Sequence, residues 1–468
     1  MATLLRDRRL SLPLVLGACA IGPAAILHFF GGREVNIPST VHFLPIAVSA
    51  GLAGLAAVVL TVVGARRRDG RSVIVGTAFS TMAAMLAVHG LTTPGMLVGD
   101  NGVVAFSGAA TLPIGGAVLA LAAIPELRGR RAVRPLLWLQ ALVLAAIVAL
   151  GSAGIAFPSL VPSVPETDSP PAIAMLAAAL AFYGLIGVRA SRTYLLTRRR
   201  ADLLVVLGIV VLAAAVVPAL LMGYMELGWW LGHLFELVGI GLVGVPVALD
   251  LHRGVQSRPL TGDLRSTELV AAADAFLGPQ VRALLRRLAE KDDYTAEHTR
   301  SVSLLAVRVG EELGLAPARL RQLAIGALLH DIGKLSVPNS ILQKPAALTA
   351  EEYDVIRRHP DWGRELALEL GFGSQVARLV SDHHERLDGS GYPRGLRGAE
   401  LDLETRVLMV CDVFDALLST RVYRDAWTLE RALGLLREES GSALDKHCTE
   451  ALERIVAREG ESSARSAA

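Results

Sequence analysis

The chain has 468 residues, 52% of them hydrophobic and 19% charged, with a formal net charge of +2. That length holds two to four domains, and so small a charge excludes a general attraction to nucleic acid polymers. Its three cysteines, Cys19, Cys411 and Cys448, lie far apart without Cys-x-x-Cys spacing, which excludes a disulfide framework and fits a reducing compartment.

Charge is concentrated beyond about Leu251, so the first part reads as membrane and the last as a soluble domain. Eight apolar runs lie roughly at Leu10–Phe30, Val41–Val63, Ser72–Leu91, Val103–Ile124, Leu136–Phe157, Ala172–Val188, Leu203–Tyr224 and Trp230–Leu251. Each is near the ~20 residues that a bilayer crossing needs. The first run could imitate a signal peptide, but seven more follow and no small-residue cleavage site is convincing.

Arginines set the orientation. Arg6, Arg8 and Arg9 precede the first run; Arg66, Arg67, Arg68 and Arg71 follow the second; Arg128, Arg130, Arg131 and Arg134 follow the fourth; Arg189, Arg192 and Arg198 to Arg200 follow the sixth. Arg33 is the exception in loops otherwise nearly free of basic residues. This alternation predicts a multi-pass protein of the cytoplasmic membrane, embedded in lipid, with both termini and the soluble domain in the cytoplasm. In that topology His28, His42, His89 and His233 fall near the outer face, at the depth of Glu226 and Glu236. They read either as interfacial anchors or as a sensory site for a metal, haem, proton or small ligand.

His252 to Leu264, with Pro259 and Gly262, reads as a juxtamembrane linker. Ser266 to Glu290 reads as two short helices interrupted at Gly278-Pro279. Beyond them Ala296–Leu313, Pro317–Ile332, Ala350–Arg358, Asp361–Leu370, Ser374–Glu385, Leu403–Leu418 and Leu429–Glu438 all look helical. Pro317 suits a first turn, Thr349 with Glu352 a capping box, and Gly371 and Gly441 helix ends. The expected fold class is all-α: an eight-span transmembrane helical bundle followed by an all-α soluble domain with one long irregular loop, Arg386 to Asp402. The expected divisions are 1–251 membrane, 252–291 linker and signalling helices, 292–458 soluble helical domain and 459–468 disordered tail.

In that domain His298, the pair His330-Asp331, His359, the pair His383-His384 and Asp412 fall at helix positions. Imidazole and carboxylate are ligands for borderline divalent metals. The set matches the ligand needs of two ions with Asp331 as bridge, an arrangement that holds an in-line displacement at phosphorus from both sides. Lys334 follows one turn after Asp331. Only four lysines stand among the 46 basic residues, so a lysine here is a pointed choice for a substrate phosphate or a proton.

The strings His-Asp-Ile-Gly-Lys (330–334), His-His-Glu-Arg-Leu-Asp-Gly-Ser-Gly-Tyr-Pro (383–393) and Asp-Val-Phe-Asp-Ala-Leu (412–417) carry a resemblance to the HD-GYP domain, from Asp292 to about Ala451. The resemblance implies an HD-type metal-dependent hydrolase with two divalent ions, iron or manganese, acting on cyclic di-GMP to give linear pGpG and/or GMP. It also implies metal ligands His298, His330, Asp331, His359, His383, His384 and Asp412, catalytic roles for Asp331 and Lys334, and substrate contacts from Tyr392, Arg421 and Arg424. The chain departs from the family at Arg421-Val422-Tyr423-Arg424, at Leu444-Asp445-Lys446, and at Tyr294, where members with three metals carry Glu. A homodimer is a further expectation. The alternatives are a hydrolase of another cyclic dinucleotide and a non-catalytic binding module.

Overall fold

The computed structural model describes residues 12–467 apart from 96–97, 100, 125–126, 128–129, 158–160, 162–168, 224–225, 253–265, 293–294, 345 and 420–424. No β-strand occurs among the described residues, so the expected all-α class holds. The chain falls into two compact units, the first Met1–Tyr194 with Arg198–Asp263 and the second Leu264–Ala468 with Leu195–Thr197 from the end of the helix Pro170–Thr197.

The first unit holds α1 (Leu12–Phe30), α2 (Ser39–Arg67), α3 (Gly70–Leu91), α4 (Gly102–Ala120), α5 (Val133–Ala156), α6 (Pro170–Thr197), α7 (Arg200–Leu221) and α8 (Leu227–His252). Short polar residues start several of them. Asp69 accepts the Arg71 N–H at 3.2 Å, Asn101 those of Val103 and Val104, and Ser169 caps α6 ahead of two prolines. The helix α3 is central, with Val73, Ala78, Phe79 and Met82 fully buried. Tyr183 on α6, also buried, donates its hydroxyl to the Leu112 carbonyl of α4 at 3.0 Å.

The expected count of eight spans is corrected. Among the described residues seven helices, α2 to α8, are long and apolar enough to cross a membrane. The first run forms α1, which is not among the seven; its described apolar stretch is Leu16–Phe30. It is stopped by Gly31-Gly32, while the beginning of the run, Leu10 and Ser11, lies outside the described residues.

The second unit holds α9 (Ser266–Phe276), α10 (Gly278–Lys291), α11 (Thr295–Glu312), α12 (Pro317–Leu329), α13 (Asn339–Leu342), α14 (Ala350–Ile356), α15 (His359–Glu369), α16 (Ser374–Asp382), α17 (Leu403–Leu418), α18 (Leu429–Glu439) and α19 (Lys446–Ala467). The break at Gly278-Pro279, the capping box Thr349–Glu352 and Pro317 in the first turn of α12 are where the sequence puts them. Its core joins Val302, Val307, Leu323, Leu329, Leu379, Val410 and Cys411, all fully buried, from α11, α12, α16 and α17. Residues 459–467, read from the sequence as a disordered tail, continue α19 as helix. Their Glu, Arg and Ala residues favour that state.

Candidate metal centre

Three helix ends and two helix faces converge in the second unit. The helix α12 is buried from Leu323 through Leu329, a setting for a central helix, and His330 caps its C-terminus. The chain then tightens into a 3-10 turn, Ile332–Ser336, against the start of α15. A Cβ at Gly333 would lie 1.9 Å from the His359 carbonyl oxygen and 2.5 Å from the Gly363 nitrogen. Only glycine permits that approach, which brings His359 beside Asp331. His383 caps α16 and His384 follows it, while α11 supplies His298 and α17 supplies Asp412.

Hydrogen bonds fix which ring nitrogen faces inward. His330, His359 and His383 each point Nδ1 at the carbonyl three residues back, Ala327 at 2.8 Å, Ile356 at 2.7 Å and Val380 at 2.7 Å. A carbonyl only accepts, so Nδ1 carries the proton and Nε2 presents a lone pair to the interior. His298 follows the same logic with a different partner: its Nδ1 lies 2.7 Å from the Asp415 carboxylate.

Two groups of donors result, Asp331 with His359, His383 and His384, and His298 with His330 and Asp412. The carboxylates link them. Asp331 turns Oδ1 toward His359 Nε2 at 3.4 Å and His383 Nε2 at 4.0 Å, and Oδ2 toward His330 Nε2 at 3.5 Å. Asp412 turns Oδ1 toward His298 Nε2 at 3.0 Å and His330 Nε2 at 3.9 Å, and Oδ2 toward His384 Nδ1 at 3.8 Å. Neutral imidazoles and shared carboxylates are the donor chemistry of a two-ion site. His330 Nε2, buried and without a hydrogen-bond partner, fits a cation better than a packed core.

The charges agree. Burial lowers the pKa values of His383 and His384, the latter to about 3, and keeps both rings neutral. Burial would raise the Asp331 carboxyl, but Lys334 and His330 beside it hold it well below its usual range. Asp412 is likewise held down against burial by His298 and His330. Lys334 donates to Asp331 Oδ2 at 2.7 Å and lies 3.9 Å from Asp292. Burial pulls its ammonium down, but Asp331 outweighs that, so it stays charged.

All seven sequence-expected ligand residues thus meet, and Lys334 adjoins them. Tyr392 lies with its ring 4.8 Å from that of His384, and the Arg357 guanidinium stands 5.0 Å from the Tyr392 ring. Arg421 and Arg424 lie outside the described residues. Two partners escaped the sequence reading. Asp415 is one turn after Asp412 on the same face of α17, an i,i+3 signal that could have found it. Buried Glu385 accepts the Arg394 N–H at 2.7 Å and the Leu396 N–H at 2.9 Å, so it shapes the loop that carries Tyr392. A Cβ at Gly391 would sit 2.4 Å from Glu385 Cα, so that loop doubles back without room for a side chain. Asp445 serves structure: it caps α19 through the His447 and Cys448 N–H groups and meets Arg406 at 3.0 Å.

Residues 282–448 match the family model described as an HD domain. The chain is 43% identical over 173 residues to the cyclic di-GMP phosphodiesterase response regulator RpfG of Xanthomonas campestris pv. campestris, covering 36% of this chain and 46% of that protein. It is 38% identical over 183 residues to 3'3'-cGAMP-specific phosphodiesterase 3 of Vibrio cholerae, covering 39% of this chain and 40% of that protein. The chain therefore spans less than half the length of these relatives. Among solved structures, Bd1817, a HDG"Y"P protein from Bdellovibrio bacteriovorus, aligns with TM-score 0.32 and 20% identity over 41% of this chain and 63% of that one, a score too low to bear on function.

Proposed function

We propose that the chain is a multi-pass membrane phosphodiesterase that hydrolyses cyclic di-GMP to linear pGpG and/or GMP under control of a signal received in its apolar unit. The observation that carries this reading is the pair of buried carboxylates, Asp331 and Asp412, each facing both groups of imidazoles. Residues 292–458 are the catalytic domain and 252–291 its connection to the membrane. His298, His330 and Asp412 would hold one divalent ion and His359, His383 and His384 the other, with Asp331 between them; iron and manganese suit this donor set. Such ions supply Lewis-acid stabilisation of a phosphoryl group and an activated water.

The chain's own residues do the rest. Lys334, kept charged by Asp331, offers an ammonium to a non-bridging phosphate oxygen. Tyr392 presents a ring edge and a hydroxyl to a nucleobase, and the loop held by Glu385 fixes where that ring stands. Arg421 and Arg424 are the candidates for gripping the second phosphate.

The arginine distribution puts the catalytic domain in the cytoplasm whatever α1 does. The arginines between α6 and α7 mark the inner side, so α7 leads out and α8 leads back in.

A second reading, hydrolysis of a mixed GMP–AMP cyclic dinucleotide, is favoured by the relatives named 3'3'-cGAMP-specific phosphodiesterases. The test is turnover by the purified full chain, prepared anaerobically with manganese or iron, across cyclic di-GMP, 3'3'-cGAMP and cyclic di-AMP. Fastest cleavage of cyclic di-GMP supports the proposal, and preference for 3'3'-cGAMP selects the second reading. No cleavage of any of them by metal-loaded protein overturns both and leaves a binding module.

A further inference from the structure

The first unit holds a second convergence of imidazoles that the phosphodiesterase reading does not use. His42 lies early in α2, His89 near the end of α3 and His233 early in α8. One ring nitrogen from each lies within 4.8 Å of the others. His42 and His89 are buried and His233 is nearly so. His28, expected with them from its depth, is exposed against Phe29 and takes no part.

The rings are oriented as ligands are. His89 Nδ1 lies 2.6 Å from the Val104 carbonyl oxygen, which accepts and so fixes the proton on Nδ1. Its Nε2 lone pair is then free, and this atom is buried with no hydrogen-bond partner. His233 Nδ1 faces the Glu236 carboxylate at 3.5 Å, which leaves Nε2 to meet His42 Nε2 at 2.9 Å. A carboxylate or carbonyl behind a ligating imidazole is the usual support of a metal-bound histidine.

Hydrogen bonding alone does not complete this cluster. Two neutral rings share one proton between His42 and His233, but His89 Nε2 and Glu236 Oε1 stay buried without partners. A divalent cation would give the imidazoles a common partner, and the buried Glu236 carboxylate would offset part of its charge. The packing reserves the space for the rings. A Cβ at Gly108 on α4 would lie 2.8 Å from His89 Cε1, and the Trp229 ring stands 4.5 Å from that of His42 and 4.6 Å from that of His233. Haem fits poorly, because a third ring nitrogen stands within the same small sphere where the macrocycle would lie.

We infer that His42, His89 and His233, supported by Glu236, form a binding site for one borderline divalent transition ion such as Zn(II) or Cu(II). The site lies toward the opposite end of α2 from Arg66 and Arg67, which in the proposed topology is the end open to ions from outside.

The test counts metal on the full chain in detergent, stripped with a chelator and reloaded with Zn(II). The His89→Gln chain should hold one equivalent fewer than wild type. The Asp331→Ala chain, impaired in the HD domain, should keep that equivalent, and with Cu(II) its paramagnetic resonance should show nitrogen coupling from imidazoles. A full wild-type complement in His89→Gln, or no bound ion in Asp331→Ala, overturns the site. Where His89→Gln does not fold, the Asp331→Ala measurement decides alone. Hydrolysis enters neither readout, so failure of the phosphodiesterase proposal leaves this count unaffected.

Discussion

At His298 both ring nitrogens face carboxylates, Asp412 at 3.0 Å and Asp415 at 2.7 Å. Burial pushes this imidazole's pKa down, but hydrogen bonds to the two carboxylates outweigh it and raise the value from 6.5 to about 9. In the metal-free protein the resulting ion pair is therefore fully stabilising below pH 6.5, and that contribution is lost as pH rises through about 9. The proton must also leave before Nε2 can bind an ion, so affinity for that ion should rise by about tenfold per pH unit up to that pH. Asp415→Asn should weaken metal holding by about 10–100-fold, the usual scale for a lost ligand-orienting carboxylate, and move the pH dependence downward. Calorimetric titration with Mn(II) across pH measures both; an unchanged affinity and slope would show that Asp415 does not orient His298. The ligand residues themselves were legible because His and Asp inside apolar helices have few other uses. Glu385 was not, because a carboxylate that acts through a loop backbone looks like any surface acid until the chain is folded, and Asp415 showed only in its i,i+3 spacing from Asp412.

At the scale of elements, the HD segment works by stopping a helix. The α-helix ends at His330, and the tight turn that follows seats Gly333 on the first residues of α15. Gly333→Ala should push α15 away, and with it His359, which that contact brings beside Asp331. The expected outcome is loss of at least one bound ion and a turnover drop of about 10²-fold or more, the scale of a misplaced catalytic group. Metal analysis and a hydrolysis assay on the purified variant check it, and a variant with wild-type metal content and rate would contradict it. Helices in this unit were readable to within a few residues because Thr349, Pro317 and Gly278-Pro279 mark their ends chemically. Two helices were not outlined from the sequence: α13, a single turn, and α19, whose polar far end over residues 459–467 gives no periodic signal.

For the whole molecule, composition alone separates an apolar unit, with seven helices of membrane-spanning length among the described residues, from a charged helical unit whose His and Asp clusters could hold metal ions. Depth along the spans was enough to group His42, His89 and His233, yet it wrongly added His28, since depth does not say which way a side chain faces. The account rests on Asp331 being shared by two ions that together hydrolyse a cyclic dinucleotide. The most direct measurement is metal content and cyclic di-GMP hydrolysis of the full chain, wild type against Asp331→Ala, side by side. Two fewer bound ions and no detectable hydrolysis in the variant are the predicted result. A variant that keeps its metal and cleaves cyclic di-GMP at a near wild-type rate would contradict it.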